Sequence, residues 1–259
     1  MKRREALLEA LRRAGRVLSR RFGRVGYRHK RRADLVTAAD LESQKEILAV
    51  IRGAFPGDDY LAEEDGVRDT GAEHLWLIDP LDGTTNYAHG YPASCVSIGV
   101  LRRGRPLLAG IYDPFRDELF LAGKGRGATM NGRRMQVTRT RRVADSLLVT
   151  GFAYDRAERA DFYLARLKSF LLRCHDVRRS GSAALDLAWV AAGRVDGFWE
   201  YGLSPWDVAA GWLLVAEAGG KVTDFAGRPW TDPARLGART LASNGLVHRE
   251  MLEVLRRTR

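Results

Sequence analysis

Cysteine is nearly absent from these 259 residues. Cys95 and Cys174 are the only two, so at most one bridge could form in a chain long enough to bury a full core. A disulfide scaffold is excluded, and a reducing, cytoplasmic setting is expected. Proline is sparse, at 8, and the 27 glycines follow no fixed period, which excludes collagenous and low-complexity classes. Long apolar runs are missing too. The uncharged stretch 83–101 is dotted with Thr, Asn, His, Gly, Pro and Ser, each costly in a bilayer, so no membrane span is expected. Residues 1–17 interrupt every apolar run with charge and carry Glu5 and Glu9, which argues against a secretory or transit peptide. The chain also lacks a Gly-x-Ser-x-Gly elbow, a Cys paired with a His motif and a His-Glu-x-x-His helix, and its 5 His are scattered. Nucleophilic catalysis and a zinc helix are therefore poorly supported.

Positive charge is plentiful but confined. Of the net +11, all resides in residues 1–32, with 13 Lys/Arg against 2 Glu, and the remaining 227 residues balance at 30 against 30. A whole basic surface, as in a nucleic-acid binder, is not what this distribution describes. Leu7, Leu11, Ala14, Leu18 and Phe22 recur within the basic element at helical spacing, the stripe of an amphipathic helix packed by one face.

A second helix is expected after Asp40 as N-cap, with Leu41, Leu48, Ile51 and Phe55 in helical register until Pro56-Gly57. Lys30-Arg31-Arg32 between the two helices reads as an exposed loop. From residue 75 the period changes, and Leu75–Asp79, Ser94–Leu101, Leu107–Tyr112 and Glu118–Ala122 read as strands, with a hairpin turn at Asn131-Gly132. Strands near Ser146–Thr150, His175–Arg178 and Asp196–Glu200 then alternate with helices near Arg159–Leu172, from Ser182 and from Trp206 to Gly219-Gly220. This order predicts a layered α/β or α+β fold. No repeat or linker divides the chain, so 1–259 reads as a single unit with halves at about 1–145 and 146–259.

Three acidic groups stand out: Glu63-Glu64-Asp65-Gly66, Asp79-Pro80-Leu81-Asp82-Gly83-Thr84-Thr85-Asn86, and Trp206-Asp207. In the second, Pro80 is expected to turn the chain so that Asp82 returns toward Asp79, giving two carboxylates and a carbonyl for a hard cation such as Mg²⁺. A plain Pro-x-Asp-Gly turn is the competing reading, but the hydroxyls and amide that follow are not needed by a bare turn. Taken singly, Glu63-Glu64 reads as a solvated charge run and Asp207 as an ordinary helix N-terminal acid. Arg178-Arg179-Ser180-Gly181-Ser182-Ala183-Ala184 leads into a helix start able to hold a phosphate, or one that Ser182 merely caps. Gly123-Lys124-Gly125-Arg126-Gly127 lacks P-loop spacing and reads as a loop.

In order along the chain, AEEDG, WLIDPLDGTTNY, RRSGSAA and SPWDVAAGWLLVAEAGG resemble the signatures of the inositol monophosphatase family, and the match runs from DLVTAAD to LASN. The resemblance implies an α-β-α-β-α sandwich, shared with fructose bisphosphatases, and a homodimer. It implies Glu63, Asp79, the carbonyl of Leu81, Asp82 and Asp207 as ligands of two or three Mg²⁺ ions, with Glu64 an outer contributor to the third. Thr84, bonded to Asp40, and Glu63 are the implied catalytic residues that orient the attacking water. Asp82, Gly83, Thr84, Gly181, Ser182, Ala183, Glu200 and Asp207 are the implied substrate contacts. The amides of Gly83 and Thr84 would hold the phosphate, and Glu200 and Asp207 would meet hydroxyls of the alcohol. Ala62 replaces a common Gly and Tyr87 a common Phe, while the lysine often found before DLVT has no unambiguous match among His29, Lys30, Arg31 and Arg32.

The activity implied is Mg²⁺-dependent hydrolysis of myo-inositol 1-phosphate or a similar polyol phosphate, with inhibition by Li⁺. Paired cations clamp the attacking and leaving oxygens and lower the pKa of bound water from 15.7 toward neutrality. Such hydrolysis requires up to ~10²¹-fold acceleration, for which a cluster of acids is chemically sensible. Histidinol phosphate, fructose 1,6-bisphosphate and adenosine 3′,5′-bisphosphate are alternative substrates on the same motifs. From a different class, the basic N-terminal helix admits RNA or transcription-complex binding, which a steep salt dependence would reveal. The neutral body and the absence of an aromatic stacking motif stand against it.

Overall fold

The alternation of apolar residues in the middle of the chain builds a sheet whose two faces are both covered. A computed structural model describes residues 1–24, 26–31, 34–64, 66–230 and 236–258. Helix α1 (Arg3–Arg21) leads to the strand pair β1 (Tyr27–Arg31) and β2 (Asp34–Thr37), then to α2 (Ala38–Ala54). The next eight strands form one sheet: β3 (Asp59–Ala62), β4 (Gly66–Arg68), β5 (His74–Asp82), β6 (Cys95–Arg102), β7 (Arg105–Asp113), β8 (Glu118–Gly123), β9 (Gly127–Met130) and β10 (Arg133–Arg134), with the short α3 (Thr84–Ala88) after β5. Their order is β10-β9-β8-β7-β6-β5-β3-β4.

The second half runs β11 (Leu147–Thr150), α4 (Ala160–Leu171), β12 (Asp176–Arg178), α5 (Ala183–Ala191), β13 (Gly197–Tyr201), α6 (Pro205–Glu217), β14 (Lys221–Thr223), β15 (Arg239–Ser243) and α7 (His248–Arg257). Its five strands lie in the order β12-β11-β13-β15-β14, with β11 parallel to both β12 and β13.

Side-chain alternation distributes the core into three clusters. Trp76, Ile78, Val96, Ile98 and Val100 pack under α1 and α2 with Leu7, Leu11 and Leu18. Leu77, Ala109 and Phe120 point the other way, toward α5 and α6, which lie between the sheets with Leu187, Leu213 and Leu214. Beyond the second sheet, Phe170 of α4 and Met251 of α7 close the last layer with Trp199 and Leu241. The order is α-β-α-β-α, the layered architecture expected. At Gly99 a Cβ would stand 2.7 Å from that of Ala209, so the missing side chain lets α6 lie directly on β6. Among the described residues no helix is long and apolar enough to cross a membrane.

Most expected elements are present within a few residues, including the Asn131-Gly132 turn, where both residues have positive φ as a two-residue hairpin requires. Two readings are corrected. Asp40 does not cap α2; Thr37 does, and Asp40 is the reciprocal capping-box acid three residues on. Lys30 and Arg31 lie in β1 rather than in an exposed loop, while Arg32 lies outside the described residues. Gly123–Gly127 is the expected loop, and its Gly125 and Gly127 amides both donate at 2.8 Å to Glu217, so the protein supplies its own anion there.

Candidate active site

The acidic run of β5 does not turn at Pro80 as expected. The strand continues to Asp82 and bulges: Asp79 pairs with Ser97 and Asp82 with Cys95, so one extra residue lies on β5. In a regular strand, residues three apart face opposite sides, and the extra residue restores both carboxylates to one side. Ser43 pins the bulge by donating its hydroxyl to the Pro80 carbonyl at 2.7 Å. The turn comes at Gly83, with φ of 86°, and a Cβ there would stand 2.8 Å from the Ala93 carbonyl oxygen, so only glycine fits.

Glu63 follows β3 and hydrogen-bonds through its amide to the Ile78 carbonyl at 3.1 Å, which sets it beside Asp79 on the neighbouring strand. Asp207 occupies the first turn of α6, where its carboxylate accepts from the Ser204 amide at 2.7 Å. Asp79 is buried, at 1% exposure, and forms the floor; Glu63, Asp82 and Asp207 are half-buried around it. Burial raises the carboxyl of Asp79 well above its usual range, and repulsion from Glu63, Asp82 and Asp207 adds to the effect. Asp207 is raised by burial and then by Asp82 and Glu63. Glu63 is pushed up to about 7, chiefly by burial, against the nearby ammonium of Lys30. Asp82 is also raised by burial, opposed by bonds from Ser182 and the Ala184 amide.

These four acids are thus close enough to repel one another, and each is also turned onto a local donor: Asp79 onto the Leu81 amide at 3.0 Å, Asp82 onto Ser182 and Ala184, Asp207 onto Ser204, and Glu63 onto Lys30. Among the described residues no three His, Cys, Asp or Glu side chains already form an ion cage by themselves. The donor set, carboxylates with a backbone carbonyl and no nitrogen or sulfur ligand, nevertheless fits a hard dication, whose charge would relieve the mutual repulsion. Lys30 is the cation beside the group. It bonds to both Glu63 and Glu64, so the pair is not the solvated charge run that its sequence suggested. Asp65 lies outside the described residues.

Beside the acids, the Thr84 hydroxyl lies 3.0 Å from both Oδ1 of Asp40 and the Leu81 carbonyl oxygen. Asp40 is fully buried, and its other oxygen accepts from the amide and hydroxyl of Thr37. Its carboxyl is raised by burial in spite of these bonds. A hydroxyl has a single proton, so Thr84 can give it to only one of its two acceptors at a time, and its lone pairs are left to accept.

The second half closes the site. Ser182 caps α5 and, with the Ala184 amide, holds Asp82, so the helix start read from sequence as able to hold a phosphate receives a carboxylate from β5. Gly181 and Ala183 flank it, and Asn86 ties this loop to α3 by donating to the carbonyls of Ala93 and Ser180 at 2.7 and 2.9 Å. Glu200 is 8% exposed, not a strand-end surface acid, and burial followed by repulsion from Asp186 raises its carboxyl well above its usual range. Gly151 leaves the space it occupies, since a Cβ there would fall 2.1 Å from its Oε1.

Sequence reasoning misses Asp186, which is fully buried, accepts from Ser180 at 2.6 Å and follows the helix cap by four residues. It names Lys30 only in a loop and among four candidates for the lysine before DLVT, and Asn86 only as the amide after the acids, without the ion pairs of the one or the two carbonyl contacts of the other.

The chain is similar to known proteins along nearly its whole length. The model of the inositol monophosphatase family matches residues 2–258. An inositol-1-monophosphatase of Synechocystis sp. is 45% identical over 258 residues, 98% of this chain and 88% of the relative. The Nus factor SuhB of Pseudomonas aeruginosa is 45% identical over 85% of this chain and 84% of its own. The solved inositol monophosphatase of Anabaena (Nostoc) sp. superposes with a TM-score of 0.89 at 48% identity, covering 98% of this chain and 95% of that one. An IMPase/NADP phosphatase solved with Mg²⁺ and phosphate superposes at 0.86 with 26% identity, covering 98% and 94%.

Proposed function

The chain belongs to the inositol monophosphatase family and is a phosphomonoesterase, and from this premise we propose that it hydrolyses myo-inositol 1-phosphate or a closely similar polyol phosphate with Mg²⁺. The observation that carries the reading is the set Glu63, Asp79, Asp82 and Asp207, drawn from both halves and mutually repelling beside the Thr84–Asp40 pair.

In this reading Glu63, Asp79, the Leu81 carbonyl, Asp82 and Asp207 hold the metal. A divalent cation bound there supplies charge neutralisation of the phosphate and acidification of water. Two ions match the ligand set, because a third near Glu64 would have to displace Lys30. Asp40 fixes the Thr84 hydroxyl, so that Thr84, with Glu63, orients the attacking water toward phosphorus. The amides of Gly83 and Thr84, at the start of α3, take phosphate oxygens. The turn of Gly181, Ser182 and Ala183 walls the alcohol pocket, and Glu200, with room left by Gly151, accepts from its hydroxyls. The active form is a homodimer in the cytoplasm, where Cys95 and Cys174, both free, remain thiols.

The test is phosphate release from myo-inositol 1-phosphate, histidinol phosphate, fructose 1,6-bisphosphate and adenosine 3′,5′-bisphosphate, in Mg²⁺ and in EDTA, beside Asp82→Asn. Mg²⁺-dependent release, fastest from the inositol ester and absent in the variant, is expected. Faster release from another ester would reassign the substrate, and no release from any would overturn the reading.

A second reading has its own support. The Pseudomonas relative is named a Nus factor, and exposed Arg4, Arg12 and Arg16 of α1 have no ion pair among the described residues, unlike Arg3, Arg13, Arg20 and Arg21. Contact of this α1 face with RNA or transcription machinery would be lost on Arg12→Glu with Arg16→Glu, while phosphatase turnover persists.

A further inference from the structure

Glu200 and Tyr201 are neighbours on β13 and face opposite sides of the second sheet. Glu200 lies toward Asp186 of α5, whereas the Tyr201 hydroxyl accepts from Arg166 of α4 at 2.8 Å. On that far side, away from the acids, α4, α7 and the end of β13 enclose a cleft of about 630 Å³, within the range of small-ligand sites. Among the described residues four arginines line it, Arg159, Arg166, Arg239 and Arg256, against a single carboxylate, Asp155.

Arg166 is the unusual member. It is only 8% exposed, and its guanidinium carbon sits 3.4 Å from the centroid of Phe162. Nε donates to Tyr201, Nη1 to the Phe162 carbonyl at 2.8 Å and Nη2 to the Thr258 carbonyl at 3.3 Å. A guanidinium has five N–H groups, so two remain. Asp155 is already engaged by Arg159 and by the Tyr163 hydroxyl, and Arg166 has no carboxylate partner among the described residues. A buried, uncompensated charge is costly unless something neutralises it. Arg159 stacks on the same Phe162 ring at 4.1 Å, and Arg239 and Arg256 stand exposed at the rim. Stacking fixes the guanidinium planes, and their edges match the oxygens of a phosphate.

We propose that this cleft binds a phosphate group, as inorganic phosphate or as part of a nucleotide, at a site separate from the catalytic acids. The gathering of several arginines about one cleft suits a dianion better than a single carboxylate.

The test is isothermal titration of the full chain in EDTA at constant ionic strength, with inorganic phosphate, AMP and ATP as probes, so that metal-dependent binding at the acids does not contribute. One site per chain is expected. Arg159→Glu and Arg239→Glu should each weaken it by ~10-fold or more, in line with the strength of a charge-assisted hydrogen bond, while circular dichroism and phosphatase turnover stay unchanged and Asp82→Asn retains the binding. Tighter binding of AMP or ATP than of phosphate would identify a nucleotide as the ligand, and equal or weaker binding would identify inorganic phosphate. The absence of saturable binding to the wild type, or binding indifferent to both reversals, would overturn the proposal.

Discussion

The Ser182 hydroxyl lies 2.6 Å from Oδ2 of Asp82, and the Ala184 amide reaches the same oxygen at 2.7 Å. A carboxylate at the end of β5 is thereby seated on the first turn of α5, where free amides and the helix dipole favour a negative charge. The contact joins residues 100 positions apart and fixes one oxygen of Asp82, leaving the other for the site. Partners of this kind orient metal-binding carboxylates, and their removal costs ~10–100-fold in metal affinity or activity. Ser182→Ala should therefore raise the Mg²⁺ concentration for half-maximal phosphate release by about that factor with little loss of fold. A Mg²⁺ titration indistinguishable from wild type would refute this role.

Charge crowding around Asp79 gives the metal-free protein a characteristic pH dependence. Glu63, raised by burial from 4.5 to about 7, binds more protons folded than unfolded. The associated stability is complete below the unfolded value and is lost as pH rises through about 7. Asp79 and Asp207, raised in the same direction, extend the decline. In EDTA, Asp79→Asn should raise the melting temperature at pH 8 relative to wild type and abolish turnover in Mg²⁺. A variant that melts below wild type at pH 8 would show that repulsion is not the dominant effect at this position.

The layered fold was largely legible because strand and helix periods in this chain are clean. Trp76 and Ile78 alternate with Leu77 between two separate cores, and each face leaves its trace in the sequence. The acids were legible as residue types, but their arrangement was not. The bulge between Asp79 and Asp82 depends on pairing with β6, and the burial of Glu63 and Glu64 depends on Lys30 arriving from a separate strand pair. Such long-range contacts leave no local period to read. Asp40 illustrates the same limit: its spacing from Thr37 marks a capping box, but only the fold brings Thr84 to its side.

Helix α1 is part of the core as well as the bearer of charge. Ala6, Ala10, Leu11, Ala14 and Leu18 are all fully buried against β6, β7 and α2. Deleting residues 2–21 would therefore unfold the first half rather than isolate a basic appendage. Leu11→Ala should cost ~2–5 kcal/mol in denaturant unfolding, whereas Arg12→Glu at an exposed position should stay within ~0.5 kcal/mol. Equal effects from the two would contradict the buried packing of α1.

His248 should dominate the response of the second half to acid. It is 1% exposed, with Nε2 2.9 Å from the Thr223 hydroxyl and Nδ1 2.9 Å from that of Ser243. Burial, followed by repulsion from Lys221, lowers its pKa from 6.5 to about 4. The folded state thus binds fewer protons than the unfolded chain between these values. The stability from a neutral His248 is complete above pH 6.5 and is lost as pH falls toward 4. Carboxylates titrate over the same interval, so the informative quantity is the difference between wild type and His248→Gln, whose amide retains a donor and an acceptor without titrating. The wild type should lose melting temperature more steeply than the variant between pH 6.5 and 4, whatever their offset at neutral pH. Parallel curves would mean that His248 already carries its proton in the folded protein, and that the hydroxyls of Thr223 and Ser243 accept from the charged ring.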